Sequence, residues 1–112
     1  MQFRKRWIIA IIAIVLVVAV YLVFNFVRCI SYYNRGIVYY VKGKYDQAIS
    51  DYSKALEINP KDTAAYNNRG LSYYRKGEYD KAWEDVRKAQ SLGFQVRPVF
   101  LKNLREASGR EK

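Results

Sequence analysis

Fourteen residues between Tyr32 and Ala55 recur unchanged 34 positions later. Tyr32, Asn34, Arg35, Gly36, Tyr39, Tyr40, Lys42, Gly43, Tyr45, Asp46, Ala48, Asp51, Lys54 and Ala55 return as Tyr66, Asn68, Arg69, Gly70, Tyr73, Tyr74, Lys76, Gly77, Tyr79, Asp80, Ala82, Asp85, Lys88 and Ala89. A fixed period of this length marks stacked supersecondary units, none of which buries its apolar face alone. The chain is therefore expected to be a stack, and a stack points to a binding scaffold before it points to any chemistry.

A second feature precedes the repeat. From Trp7 to Val27 there are 21 residues without a charge, and Asn25 is the one strongly polar member. As a helix this run is roughly 31 Å long, about the hydrocarbon thickness of a bilayer. The remaining chain is too short to surround such a helix as a soluble core. The run exceeds the usual apolar core of a signal peptide and no small-x-small site follows it, so it is expected to stay as an anchor. Arg28 stands before Cys29 where a lipoprotein would carry a small residue, which leaves palmitoylation of a juxtamembrane thiol as the remaining lipid chemistry there. Ala10, Ala13 and Ala19 do not make a small-xxx-small dimerisation motif.

The net charge is +10. Arg4, Lys5 and Arg6 lie before the apolar run, and they favour a cytoplasmic N-terminus with the repeats on the opposite side. After the run, 17 Lys and Arg face 10 Asp and Glu. These cations are dispersed among acids such as Asp51, Asp80, Glu84 and Asp85 with no aromatic-basic motif, so nucleic acid is not expected as a partner. With one Cys and no His, the chain cannot form an intrachain disulfide, a Cys/His zinc site or a His-dependent triad. No catalytic residue, metal, cofactor or small-molecule substrate is expected, and the protein is read as a non-enzyme.

Within the repeats, Tyr32, Tyr33, Ile37, Tyr39, Tyr40 and Val41 recur at three- and four-residue spacing, which predicts a helix over 30–41 ended by the Lys42-Gly43-Lys44 turn. Ala48, Ile49, Tyr52, Ala55 and Leu56 form one stripe of a second helix over 45–58, with Asp46 in its first turn where the dipole favours an acid. Asn59 and Pro60 stop it. Asp62 is the expected N-cap of a third helix over 63–75, and a fourth ends near Leu92 and Gly93. Pro98 opens a fifth, whose stripe is Phe100, Leu101, Leu104 and Ala107. Neither Pro nor Gly interrupts the chain from Trp7 to Arg35, so the anchor is expected to run without a break into the first repeat helix.

These residues resemble the tetratricopeptide repeat family. Tyr32, Gly36, Tyr39, Ala48, Tyr52, Ala55 and Pro60 meet its pattern in the first unit, and Tyr66, Gly70, Tyr73, Ala82 and Ala89 in the second. Val86 replaces an aromatic and Phe94 stands where Pro is usual. Arg35 and Arg69 occupy the place of a customary Leu, with their stems expected over the core and their guanidinium groups in water. The resemblance implies two helix-turn-helix repeats; with the apolar run before them and the tail helix after, the expected fold is all-α: a single N-terminal transmembrane helix, the two repeats and a C-terminal capping helix that closes the stack. The expected organisation is a basic flank at 1–6, an anchor at 7–28, repeats at 29–62 and 63–96, a cap at 97–107 and a frayed polar tail at 108–112.

By the same resemblance the first helix of each unit lines a concave surface. This places Tyr33, Ile37, Tyr40 and Val41 beside Asn67, Asn68, Leu71, Tyr74 and Arg75 as the partner-binding groove. Stiff aromatics flanked by amide and guanidinium groups suit an extended peptide or a partner helix. Family members that clamp a chaperone's C-terminal carboxylate carry Lys and Asn where this chain has Tyr33 and Ile37, so that ligand is not expected. The expected function is a membrane-anchored protein interaction scaffold, held in lipid by residues 7–28 and serving as an accessory, assembly or structural subunit of a membrane complex. The alternatives are a free-standing docking receptor for soluble clients and, ranked below it, a surface protein that uses its basic excess on anionic lipid or nucleic acid.

Overall fold

The computed structural model describes residues 2–109, and among them there are five helices and no strand. Helix α1 (Gln2–Val41) is unbroken over 40 residues, as the absence of Pro and Gly before Arg35 predicts. Its first two thirds stand clear of the rest of the chain, and Trp7, Ile14, Val20 and Phe26 are all exposed. By length and composition this helix can cross a membrane.

The four shorter helices follow in a stack: the first packs on the last third of α1, and each later one packs on the helix before it. They are α2 (Tyr45–Ile58), α3 (Thr63–Lys76), α4 (Tyr79–Ser91) and α5 (Pro98–Ser108). Asp62 caps α3, accepting the Ala65 amide at 3.1 Å. Gly77 closes the same helix at a φ of 82°, a left-handed conformation that only glycine adopts without strain. Asp62 is the cap expected from the sequence, and the helix runs one residue past the expected end at Arg75.

Close approach between helices rests on small residues. Gly36 on α1 faces the buried Tyr52 ring of α2, and Ala48, Ala55, Ala65, Ala82 and Ala89 are fully buried along the other contacts. The second unit and α5 share one core of Ala82, Trp83, Val86, Ala89, Val96, Phe100 and Leu104. Helix α5 thus covers the end of the stack as a cap does.

Four details depart from the sequence reading. The guanidinium groups of Arg35 and Arg69 are not simply in water: each makes a two-pronged ion pair with a buried carboxylate. Arg35 holds Asp51 at 2.7 and 2.8 Å, and Arg69 holds Asp85 at 2.8 and 2.8 Å. Arg69 also donates to Ser53 Oγ at 3.1 Å, tying the second unit to α2 of the first. Cys29 is buried under α2 with its thiol 3.5 Å from the Ala55 carbonyl. Burial, and then Asp62, push that thiol's pKa up, away from the reactive thiolate form. Ala107 is exposed, and Ser108 turns inward instead. Its hydroxyl accepts the Trp83 indole N–H at 3.0 Å and donates to the Leu104 carbonyl at 2.6 Å, so this residue is the ordered end of α5 and not part of a frayed tail. Residues 110–112 of that expected tail lie outside the described residues.

Candidate partner-binding groove

Helices α1 and α3 lie side by side in the same direction, and two hydrogen bonds fix their register. Asn68 Nδ2 donates to the Tyr33 hydroxyl at 3.0 Å, and Arg75 Nε donates to the Tyr40 hydroxyl at 3.3 Å. Both join residues 35 apart, which is one repeat and one position. Burial and the Asn68 contact act on Tyr33 in opposite senses; burial dominates, and the phenol's pKa is raised.

Two concavities open along this pair. The larger, of about 530 Å³, lies between α3 and α5 and is walled by Tyr40, Asn67, Asn68, Leu71, Tyr74 and Arg75. Its far side is Phe94, Gln95, Arg97, Val99, Phe100 and Asn103. The smaller, of about 170 Å³, is formed by Ile37, Tyr40, Tyr52, Asn68 and Leu71. Seven of the nine residues expected in the groove therefore line one concavity or the other. Tyr33 braces the floor through Asn68. Val41 is 78 % exposed and lines neither, because α1 ends there, one turn beyond Ile37.

The aromatics here pack and line the surface at once. Tyr74 meets Phe100 edge to face at 5.8 Å between ring centroids, and Tyr40 meets Tyr45 at 5.5 Å. Both remain half-buried, so one ring face supports the stack while the edge stays open. The polar character is amide and cationic: Asn67, Asn68, Asn103, Arg75 and Arg97 stand around the larger cleft with no carboxylate. Asn67 Oδ1 is buried without a hydrogen-bond partner among the described residues.

The wall contributed by α5 and the loop before it was not foreseen, because Phe100 and Leu104 read as a cap stripe. Arg97 and Asn103 flank that stripe and were the available signal. Among the described residues no grouping of His, Cys, Asp and Glu can hold a metal ion.

Two family models described as tetratricopeptide repeat match the chain, one over residues 30–62 and the other over residues 52–84. The first spans the last turns of α1 through α2, and the second begins in α2 and ends in α4. No curated protein matches.

Proposed function

Since the chain belongs to the tetratricopeptide repeat family, we propose that it is a membrane-anchored interaction scaffold, an accessory, assembly or structural subunit of a larger membrane complex. The observation that carries this reading is the continuity of α1. One helix bears both the 21-residue uncharged run and the groove residues Tyr33, Ile37 and Tyr40. Those three lie about 9 to 20 Å along the axis from Val27, so a partner seated there is held at a set height above the lipid. Residues 7–28 are the lipid contact, and the basic flank at Arg4, Lys5 and Arg6 supports a cytoplasmic N-terminus.

The groove suits a protein segment better than a small molecule. It is open and about one third aromatic, and its amides match the backbone groups of an extended peptide or a helix end. Native purification of the tagged full-length chain in mild detergent tests the assignment. Stoichiometric recovery of a membrane complex, lost when Leu71→Asp is introduced, is the expected result. Recovery with soluble clients alone would favour the docking-receptor reading, and recovery unaffected by Leu71→Asp would remove the groove from the interface.

A further inference from the structure

Three cations surround one aromatic ring at the point where α1 leaves its apolar run. The Tyr32 ring has Arg28 Cζ at 5.9 Å, Arg35 Cζ at 5.6 Å and Lys54 Nζ at 5.4 Å from its centroid. Arg35 is neutralised by its two-pronged contact with Asp51. The other two are not. The Arg28 guanidinium reaches only the Asn25 amide oxygen, at 3.5 Å, and Lys54 makes no ion pair among the described residues, although Glu57 lies one turn further along α2. Arg28 also lies over the Phe24 ring at 5.6 Å, inside the apolar run.

The height of this cluster follows from helix geometry. Tyr32 is five residues beyond Val27, about 7 to 8 Å along α1. The polar layer on each side of a bilayer is about 5 to 8 Å deep. Tyr32 and its two uncompensated cations therefore sit at the level of the lipid phosphates. Lys54 is brought there from the second helix of the repeat, since α2 runs back toward the apolar run and Ala55 meets Cys29.

The second repeat supplies an internal comparison built on the same template. Where the first unit has Arg28, the second has Asp62, which is occupied in capping α3. Over Tyr66 lies Arg69, which is already paired with Asp85. The charge excess around the ring belongs only to the unit beside the apolar run.

We propose that Arg28 and Lys54, held in place by the Tyr32 ring, bind the phosphate of anionic lipid head groups in the leaflet from which the repeats emerge. The guanidinium supplies directed donors and the ammonium a compact charge, a combination suited to a phosphodiester monoanion. This inference rests on α1 spanning the bilayer.

The test uses the full-length chain reconstituted in phosphatidylcholine vesicles containing a trace of spin-labelled phosphatidylglycerol or spin-labelled phosphatidylcholine. The fraction of immobilised label reports the first lipid shell. Phosphatidylglycerol is expected to be preferred, with each of Lys54→Gln and Arg28→Gln lowering the preference about fivefold at low salt, while Lys88→Gln, the matching position of the second repeat, leaves it unchanged. Lys54 is exposed, so its variant keeps the helical content of the parent, which circular dichroism checks. Equal immobilisation of the two lipids, or a preference untouched by Lys54→Gln, would overturn the proposal. Loss of the preference in inorganic phosphate, but not in chloride of equal ionic strength, would reassign the site to free phosphate. Alkaline carbonate washing separates the two levels: release of the chain removes the spanning premise, whereas retention without lipid preference removes the site alone.

Discussion

The contact between Gly36 and Tyr52 sets a limit that substitution can measure. A Cβ at Gly36 would lie 2.7 and 2.8 Å from two carbons of the Tyr52 ring and 3.1 Å from a third. The ring cannot swing away, because it is 1 % exposed and packs against Tyr33 at 5.9 Å between centroids. At Gly70, the matching position of the second unit, the same atom would be 3.3 Å from Asp85 Cβ and 3.4 Å from the Ala82 carbonyl oxygen. The reason is the residue opposite: Val86 stands where the first unit has Tyr52. Alanine at either site gains about 0.5 to 1 kcal/mol by replacing a helical glycine, and an overfilled contact costs about 1 to 3 kcal/mol. The gain is common to both variants and most of the cost falls on one, so Gly36→Ala should be about 1 to 2 kcal/mol less stable than Gly70→Ala. In urea titrations of the full chain in detergent, followed by far-ultraviolet circular dichroism, this is a midpoint difference of ~1 M. Combining Gly36→Ala with Tyr52→Val, which copies the second unit, should recover stability relative to Tyr52→Val alone. Equal midpoints for the two alanine variants, or no recovery in the double variant, would refute the reasoning.

Three further outcomes follow from the packing. Asp85→Ala leaves the Arg69 guanidinium without its carboxylate at a site where its side chain is 21 % exposed, and the loss should be about 2 to 3 kcal/mol, at the low end for a buried pair because some water reaches the arginine. Asp51→Ala should lose less, since Arg35 is 53 % exposed, and urea titration of both variants checks the order. Burial above all holds the Tyr52 phenol above the ordinary value of 10.0, and Tyr33 is raised in the same way. The stability tied to their neutral forms is full below pH 10 and declines as pH rises through the folded values, so the repeats should unfold in alkali above that pH. Tyrosinate absorbance followed beside circular dichroism should show this, and Tyr52→Phe should shift the transition to higher pH. Ser108→Ala removes the acceptor of the Trp83 indole N–H, which should cost about 1 kcal/mol and speed exchange of that proton in NMR.

The helix ends were readable because they rest on local chemistry: Asp62 as a cap, Gly43 and Gly77 at turns, Pro98 at a first turn. The unbroken α1 was readable because breakers are absent. The ion pairs were not read, although the signal was present. Both Arg35/Arg69 and Asp51/Asp85 survive the 34-residue repeat, and Asp51 falls between Ala48 and Ala55 on the stripe α2 buries. An acid on an apolar stripe demands a partner, and arginine at a customary leucine position is the one that reaches it. The expected groove wall on α1 and α3 came from the family resemblance, which assigns the concave surface to the first helix of each unit. The wall from α5 could not be read in this way, because its approach depends on how a loop of residues 92–97 folds back, with Val96 buried beneath it.

If α1 spans the bilayer as proposed, this rod of about 60 Å, with one half in lipid and the other bearing the groove, is a lever. Spanning helices tilt by about 20° on average, and a bilayer that thickens or thins changes that angle. Val41 lies about 21 Å beyond Val27, so a 20° swing carries it sideways by about 7 Å. On that proposal the bearing of the groove over the surface would follow the thickness of the membrane beneath it, and two membranes of unequal depth would present the same cleft to a neighbour from different directions.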